Sequence, residues 1–499
     1  LSELKAARRS TDAALHTLDA VDAIECMRRG EITAEAYAAA LLARCAAAQA
    51  LNAFITLQPP RVLEAARERD RERRDGAPCG PLFGLPIPIK DSINTAEYPT
   101  TAGTPGLRRF RPAADAPIVA ALRRAGALVL GKTNLHELSF GWTSNNLAFG
   151  AVRNPYDPAR IAGGSSGGTA AAVAAGCAPL GLAEDTEGSI RVPAALCGIT
   201  GFRPTTGRYS TEGCVPISPL FDQTGPQARS VRDLALFDAV LGGEAVLGDD
   251  ARPSGDAGLA GIRLGVVREY YFAGLAPDVA RTGEQALERL AAAGVILVES
   301  SLPELPTLIE RSTSAVQTHD VGIALADYLD RHHTGLSLHE LIAQASTDIQ
   351  STFRDTVLPG APHGVSATVY AAARDHHVPA LQALFRDYFA TANVAAIVFP
   401  ATRIVAPRIG DDVNALIGRE SVPFEAAIAR NIAPGSTAGL PGLVLPVGLT
   451  PGGLPVALEF DGPRGTDRAL LALGARLEAL FGRLPPPAEP EPRLQYSKP

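Results

Sequence analysis

The order of apolar and polar positions divides the chain into distinct textures. Over residues 1–80 apolar residues recur at helical spacing. Residues 18–29 and 33–50 each carry one apolar stripe, and Thr33 is placed to cap the second helix, with Glu35 in its first turn. After Pro59 and Pro60, residues 61–74 predict a third helix, charged at most positions, which reads as a solvated face. This front section is expected to pack on the rest of the chain or to contribute to a homodimer surface.

From Gly80 the pattern changes to short apolar runs broken by glycine and proline. G-P-L-F-G-L-P-I-P-I-K-D predicts a tight turn feeding a strand through Ile87 and Ile89 that ends at Lys90. Residues 116–125 predict an amphipathic helix with Pro117 in its first turn, 127–130 a strand, and the stretch after Asn134 another helical segment. A turn, N-P-Y-D-P at 154–158, delivers the chain to a glycine-dense segment around Ser165 and Ser166, followed by an Ala-rich buried helix. Residues 227–241 predict a surface helix capped by Ser230. Strands are expected at 262–267, 295–298, 395–399, 443–447 and 455–460, with helices at 278–293 and 466–481. The alternation predicts an α/β fold over a mostly parallel or mixed sheet. Residues 81–482 are read as one domain, with a mainly helical insertion at about 302–390 and a Pro-rich extended tail at 483–499.

Composition narrows the function classes. The chain has 499 residues, 46% hydrophobic and 20% charged, with a formal net charge of −7. Charges of both signs are interspersed, which gives no support to a nucleic-acid partner. Six scattered cysteines form no Cys-x-x-Cys pair, no His-Glu-x-x-His occurs, and the seven histidines within 302–390 match no metal spacing. Neither a metal nor another cofactor is expected. The first residues lack an apolar run after their charges, and no stretch has the apolar length of a membrane span, so a cytoplasmic location is the expectation.

The chemistry concentrates in residues 160–191. Gly163 to Thr169 surrounds two serines with glycine, and a second small-residue turn runs from Asp185 to Ser189. Dense glycine lets a substrate approach bare backbone N–H groups. Two serines on such turns, with a lysine from elsewhere, suit a nucleophile, a proton relay and an oxyanion hole. Neither a Walker G-K-[ST] ending nor a G-x-G-x-x-G fingerprint is present, which argues against a phosphate loop. Lys90 ends an apolar strand; there it is either a base made neutral by burial or one half of an ion pair with Asp91 or another acid.

An ordered set of motifs carries a resemblance. G-L-P-I-P-I-K-D at 84–91, T-A-G-T at 101–104, K-T-N-L-H-E-L at 132–138 and G-G-S-S-G-G at 163–168 are followed by D-T-E-G-S-I-R-V-P-A at 185–194, G-F-R-P-T at 201–205 and G-L-P-V-A-L-E at 453–459. Together they make the chain similar to the amidase signature family over roughly residues 20–480. The resemblance implies an α/β/α fold on a large mixed sheet and a Ser-cisSer-Lys triad: Ser189 as nucleophile, Ser165 as bridging serine after a cis Gly164–Ser165 bond, and Lys90 as base. It implies an oxyanion hole from the N–H groups of Thr186, Glu187, Gly188 and Ser189. Asp185 and Arg191 are expected to brace that loop, with Ser166 hydrogen-bonding locally. Trp142, Phe140, Thr143, Leu220 and Phe221 are candidate pocket walls.

The implied reaction is hydrolysis of small aryl or alkyl amides through an acyl-enzyme, extending to carbamates and esters. The alternatives are a glutaminase-like subunit of an amidotransferase complex and a non-catalytic binding protein of the same fold. One departure stands out: the family usually has Gly-Gly-Ser where this chain has Glu187-Gly188-Ser189.

Overall fold

The computed structural model describes residues 15–242, 258–411 and 413–488. Residues 1–14 of the front section and 489–499 of the tail lie outside the described residues. Eleven strands form one sheet: β1 Phe54–Leu57, β2 Pro86–Lys90, β3 Leu128–Thr133, β4 Leu180–Asp185, β5 Thr200–Arg203, β6 Gln223–Ala228, β7 Arg263–Val266, β8 Ile296–Glu299, β9 Ala396–Pro400, β10 Gly442–Leu449 and β11 Pro455–Asp461. Their order is β1-β3-β2-β4-β6-β5-β10-β11-β9-β7-β8. β3, β2 and β4 run parallel, as do β9, β7 and β8, and antiparallel pairs join these two blocks. The sheet is therefore mixed. Helices Gly167–Ala174, Arg191–Cys197, Val231–Leu241, Pro277–Ala292 and Asp467–Phe481 pack against it, completing the α/β architecture.

Every residue of β2 to β6, β9 and β11 is buried, whereas edge strand β8 is exposed at both ends. A strand covered on both faces loses its alternation of apolar and polar residues. That is why β4, β5 and β6, rich in Gly, Pro, Thr and Gln, carry so weak a sequence signal. Gln227, expected to open a helix, lies in β6 and donates through Nε2 to the Ile190 carbonyl at 2.8 Å. The helix starts at Val231, after Ser230 accepts from the Asp233 N–H at 3.2 Å.

Two further corrections concern the first third of the chain. The front section contributes helices Ala20–Arg29, Ala34–Ala47 and Pro59–Arg74, with Thr33 capping the second, but F-I-T-L at 54–57 adds an edge strand antiparallel to β3. Asn52, with φ +54°, ends the preceding helical turn, and two of the four strand residues are β-branched. After β3 the chain makes only a single 3₁₀ turn, Glu137–Ser139, because Leu138 and Ser139 have positive φ.

Helices Leu305–Arg331, Leu338–Gln344, Thr347–Thr356, Ala367–Ala372 and Val378–Ala392 occupy the region expected to be helical. The 27-residue first member passes beside the sheet's Ser189 end and carries Gln317 to it. Among the described residues no helix is long and apolar enough to cross a membrane.

Candidate active site

Lys90 is the last residue of β2, and β4 runs parallel beside it with Leu182 opposite Ile89. That register brings the end of β4, Glu184 and Asp185, next to Lys90. The Lys90 side chain is fully buried. Its Nζ lies 2.6 Å from Ser165 Oγ and 2.6 Å from Glu184 Oε1. Asp91, the neighbour considered as its ion-pair partner, instead pairs with Lys132 at 3.0 Å. Burial pushes the Lys90 ammonium below the usual lysine value, against the opposing pull of Glu184 and Asp185.

Glu184 was not singled out from the sequence. Its Oε1 accepts from Ser139 Oγ at 2.6 Å and Ser92 Oγ at 3.2 Å as well as facing Lys90, so three donors converge on one carboxylate oxygen. A charged residue ending a short apolar run is the same signal that marked Lys90.

The Gly164–Ser165 peptide bond is cis, as the resemblance implied. The Ser165 carbonyl accepts from the His136 N–H at 3.0 Å and Ser144 Oγ at 3.1 Å. Ser166 gives its N–H to the Ser189 carbonyl at 3.1 Å and its hydroxyl to the Glu184 carbonyl at 3.1 Å. The two glycine-dense turns are thus tied to each other.

The second turn is held from below by Asp185. Its carboxylate accepts from the N–H groups of Gly188 at 2.7 Å and Ile190 at 3.0 Å, and it pairs with Arg191 at 3.1 Å and Arg203 at 3.4 Å. Burial alone would raise the Asp185 pKa; Arg191, Arg203 and the Gly188 N–H outweigh it and hold the carboxyl at about 2. Arg191 also reaches Glu459 and Ser436, so its charge is fully used.

This geometry corrects one expectation. Gly188 gives its N–H to Asp185 and is unavailable as an oxyanion donor. The carbonyl of the same peptide unit, Glu187 O, accepts from Trp142 Nε1 at 2.9 Å, so the 187–188 peptide is fixed at both ends. Gly188 has φ +98°, and a Cβ there would come within 3.0 Å of Ile432 and Val192, so glycine is required. The N–H groups of Thr186, Glu187 and Ser189 meet no acceptor among the described residues. Thr186 Oγ1 donates to Asp222 Oδ1 at 2.6 Å, and Asp222 also accepts from the N–H groups of Ile217 and Ser218.

Ser189 opens onto a cavity of about 70 Å³ lined by Ser139, Phe140, Trp142, Thr186, Glu187, Ile217 and Gln317, among others. Trp142 and Phe140 belong to this wall; Thr143, Leu220 and Phe221 do not. Thr143 Oγ1 is engaged by His136 Nδ1 at 3.1 Å and by the Asn145 N–H at 3.0 Å. Leu220 is 42% exposed, and Phe221 packs into a separate cluster with Val316, Ala373 and Val378. Glu187 sits on the cavity wall with its Oε2 accepting from Gln317 Nε2 at 2.8 Å. A larger cavity of about 340 Å³, lined by residues such as His16, Arg44 and Tyr156, lies away from Ser189 and contains none of these groups.

The model of the family described as Amidase matches residues 36–471. The chain belongs to the amidase family. It is 39% identical over 457 residues to indoleacetamide hydrolase of Agrobacterium vitis, covering 91% of this chain and 95% of the relative. To mandelamide hydrolase of Pseudomonas putida it is 37% identical over 486 residues, covering 95% and 93%. The native peptide amidase of Stenotrophomonas maltophilia superposes with a TM-score of 0.77 at 32% identity, over 94% of this chain and 98% of that one. This amidase is accordingly a hydrolase acting on amide bonds.

Proposed function

We propose that Ser189 is the nucleophile, Ser165 the proton relay and Lys90 the base, acting on primary amides of small aryl-substituted acids. The observation that carries this reading is the fully buried 2.6 Å contact between Lys90 Nζ and Ser165 Oγ, on a turn bonded directly to that of Ser189. A serine hydroxyl attacks only when its proton has somewhere to go. Neutral Lys90 takes the Ser165 proton while Ser165 takes that of Ser189, and Ser189 Oγ bonds to the carbonyl carbon. The developing oxyanion is met by the N–H groups of Thr186, Glu187 and Ser189, each such donor contributing about 3–4 kcal/mol in comparable sites. The proton returns through Ser165 to the departing nitrogen as the C–N bond breaks. Water then repeats the cycle on the acyl-enzyme and releases the acid.

Phe140, Trp142 and Ile217 offer an apolar wall for an aryl group. The names of the two relatives, indoleacetamide and mandelamide hydrolase, both denote primary amides of aryl-substituted acids and support this choice. Carbamates and esters present the same carbonyl to the same nucleophile, and esters have the better leaving group.

The test is covalent labelling of Ser189 by a serine-directed phosphonate, with hydrolysis of phenylacetamide, its anilide, a carbamate and an ester measured on the isolated chain. Labelling at Ser189 with turnover of the amide supports the reading. Full activity in Ser189→Ala, or glutaminase activity that needs a partner protein, would overturn it.

A further inference from the structure

Among the described residues Glu187 is the one acidic side chain on the wall that it shares with Ser189, and its surroundings are unusual for a carboxyl. It is nearly buried, and no ion pair reaches it among the described residues. Buried charges are normally paired. Arg191, the basic group whose field it feels, is already engaged by Asp185, Glu459 and Ser436. One carboxyl oxygen accepts from Gln317, which fixes the group's orientation, and the other has no hydrogen-bond partner among the described residues. Phe140 and Trp142 stand on the same wall, and aromatic faces attract cations as well as apolar groups.

Building on the hydrolase reading, we propose that Glu187 selects cationic substrates: small amides that carry an ammonium, amidinium or guanidinium group, which enters the cavity as the missing counter-ion of this carboxylate. Anionic amides are rejected by the same group.

Below about pH 8 a proton occupies the position when no cation is present. Burial, with help from Glu425 and Asp185, raises the Glu187 carboxyl to about 8, against the opposing effects of Gln317 and Arg191. Tyr270, which feels the Glu187 charge, is itself held above the ordinary tyrosine value chiefly by burial. At pH 7 a bound cation therefore displaces a proton, and cation affinity rises as pH passes through about 8.

The experiment is calorimetric binding of benzylguanidinium, its neutral isostere benzylurea and phenylacetate to the full chain between pH 6.5 and 9. In the wild type, benzylguanidinium should bind about tenfold or more tighter than benzylurea at pH 9. That ratio should shrink toward pH 6.5, with proton release at pH 7 read from buffers of different ionisation heat. Glu187→Gln, or Glu187→Gly where the first does not fold, should lose the preference and its pH dependence while still binding benzylurea. Equal affinities in the wild type at pH 9, or a preference that survives both substitutions, would overturn the proposal. Phosphonate labelling on the same samples separates the two readings. Labelled Ser189 without cation preference sinks only this inference, and cation preference without labelling sinks only the hydrolase reading.

Discussion

Two lysines, Lys90 on β2 and Lys132 on the adjacent β3, are both fully buried, yet only Lys90 meets a group of the proposed proton relay. Burial pushes both ammonium groups below the usual lysine value, and each has a carboxylate pulling the other way: Glu184 for Lys90 and Asp91 for Lys132. Their surroundings differ. Lys132 Nζ pairs with Asp91 and also donates to the carbonyl of Ile93 at 2.9 Å, to that of Pro99 at 3.3 Å and to Thr100 Oγ1 at 2.9 Å. Every proton of that ammonium has an acceptor, and none of the acceptors lies on the turns that carry Ser165 and Ser189. Lys90 has only Glu184 and Ser165; the Ser165 hydroxyl sits on a turn bonded to that of Ser189, whereas the Thr100 hydroxyl beside Lys132 gives its proton to the Ile93 carbonyl at 3.4 Å. Burial and a lowered pKa are therefore not enough to mark a base. The partner must also lie where it can pass a proton to the nucleophile.

Removing each lysine breaks the comparison most sharply. Lys90→Met should cost between about 10²- and 10⁴-fold in kcat/KM, the range for losing a general base, and abolish the rise of activity with pH. Lys132→Met leaves Asp91 buried without its partner and should cost about 3–5 kcal/mol in denaturant unfolding, while the folded fraction keeps its rate. If the two substitutions had interchangeable effects, the distinction drawn from their surroundings would be wrong. Next in size are the matching hydroxyl deletions. Ser165→Ala should lower the rate strongly with little change in unfolding midpoint. Thr100→Val, which removes one acceptor from a charged donor, should cost about 1.5–3 kcal/mol of stability and leave the rate of the folded enzyme unchanged.

These contrasts also show what was readable in the chain before its structure. Lys90, Ser165, Ser189, Asp185 and Arg191 were legible because charges at the ends of apolar runs and serines among glycines have few structural uses. Glu184 carries the same sign, ending L-G-L-A, but Asp185 beside it carries it too, and residue type does not say which of the two faces Lys90. The direction of a peptide plane leaves no trace in residue types, and so the loss of Gly188 as a donor was invisible. Gln317 is one polar residue in a 27-residue helix, 130 positions from the glutamate it holds. Leu220 and Phe221 are apolar, a property that says nothing about which cavity a side chain faces. The central strands β4 to β6 escaped for a related reason: with both faces buried, they have no alternation to read.

The smallest of these effects is the most discriminating, because it leaves all three groups of the Ser189–Ser165–Lys90 chain in place. Glu184→Gln keeps the volume and the acceptor oxygen but removes the charge that raises the Lys90 pKa. The activity of a lysine base follows its neutral form, so lowering its pKa moves the rising limb of kcat/KM to lower pH. The variant should thus gain relative activity on the acid side and lose little at the plateau, in a profile measured with a neutral amide so that Glu187 does not contribute through its own titration. If Lys90 instead worked as a permanent ammonium, like Lys132, removal of its carboxylate would weaken the site at every pH and shift no limb. A limb that stays in place in Glu184→Gln would assign the rise to another group and end the case for Lys90 as the base.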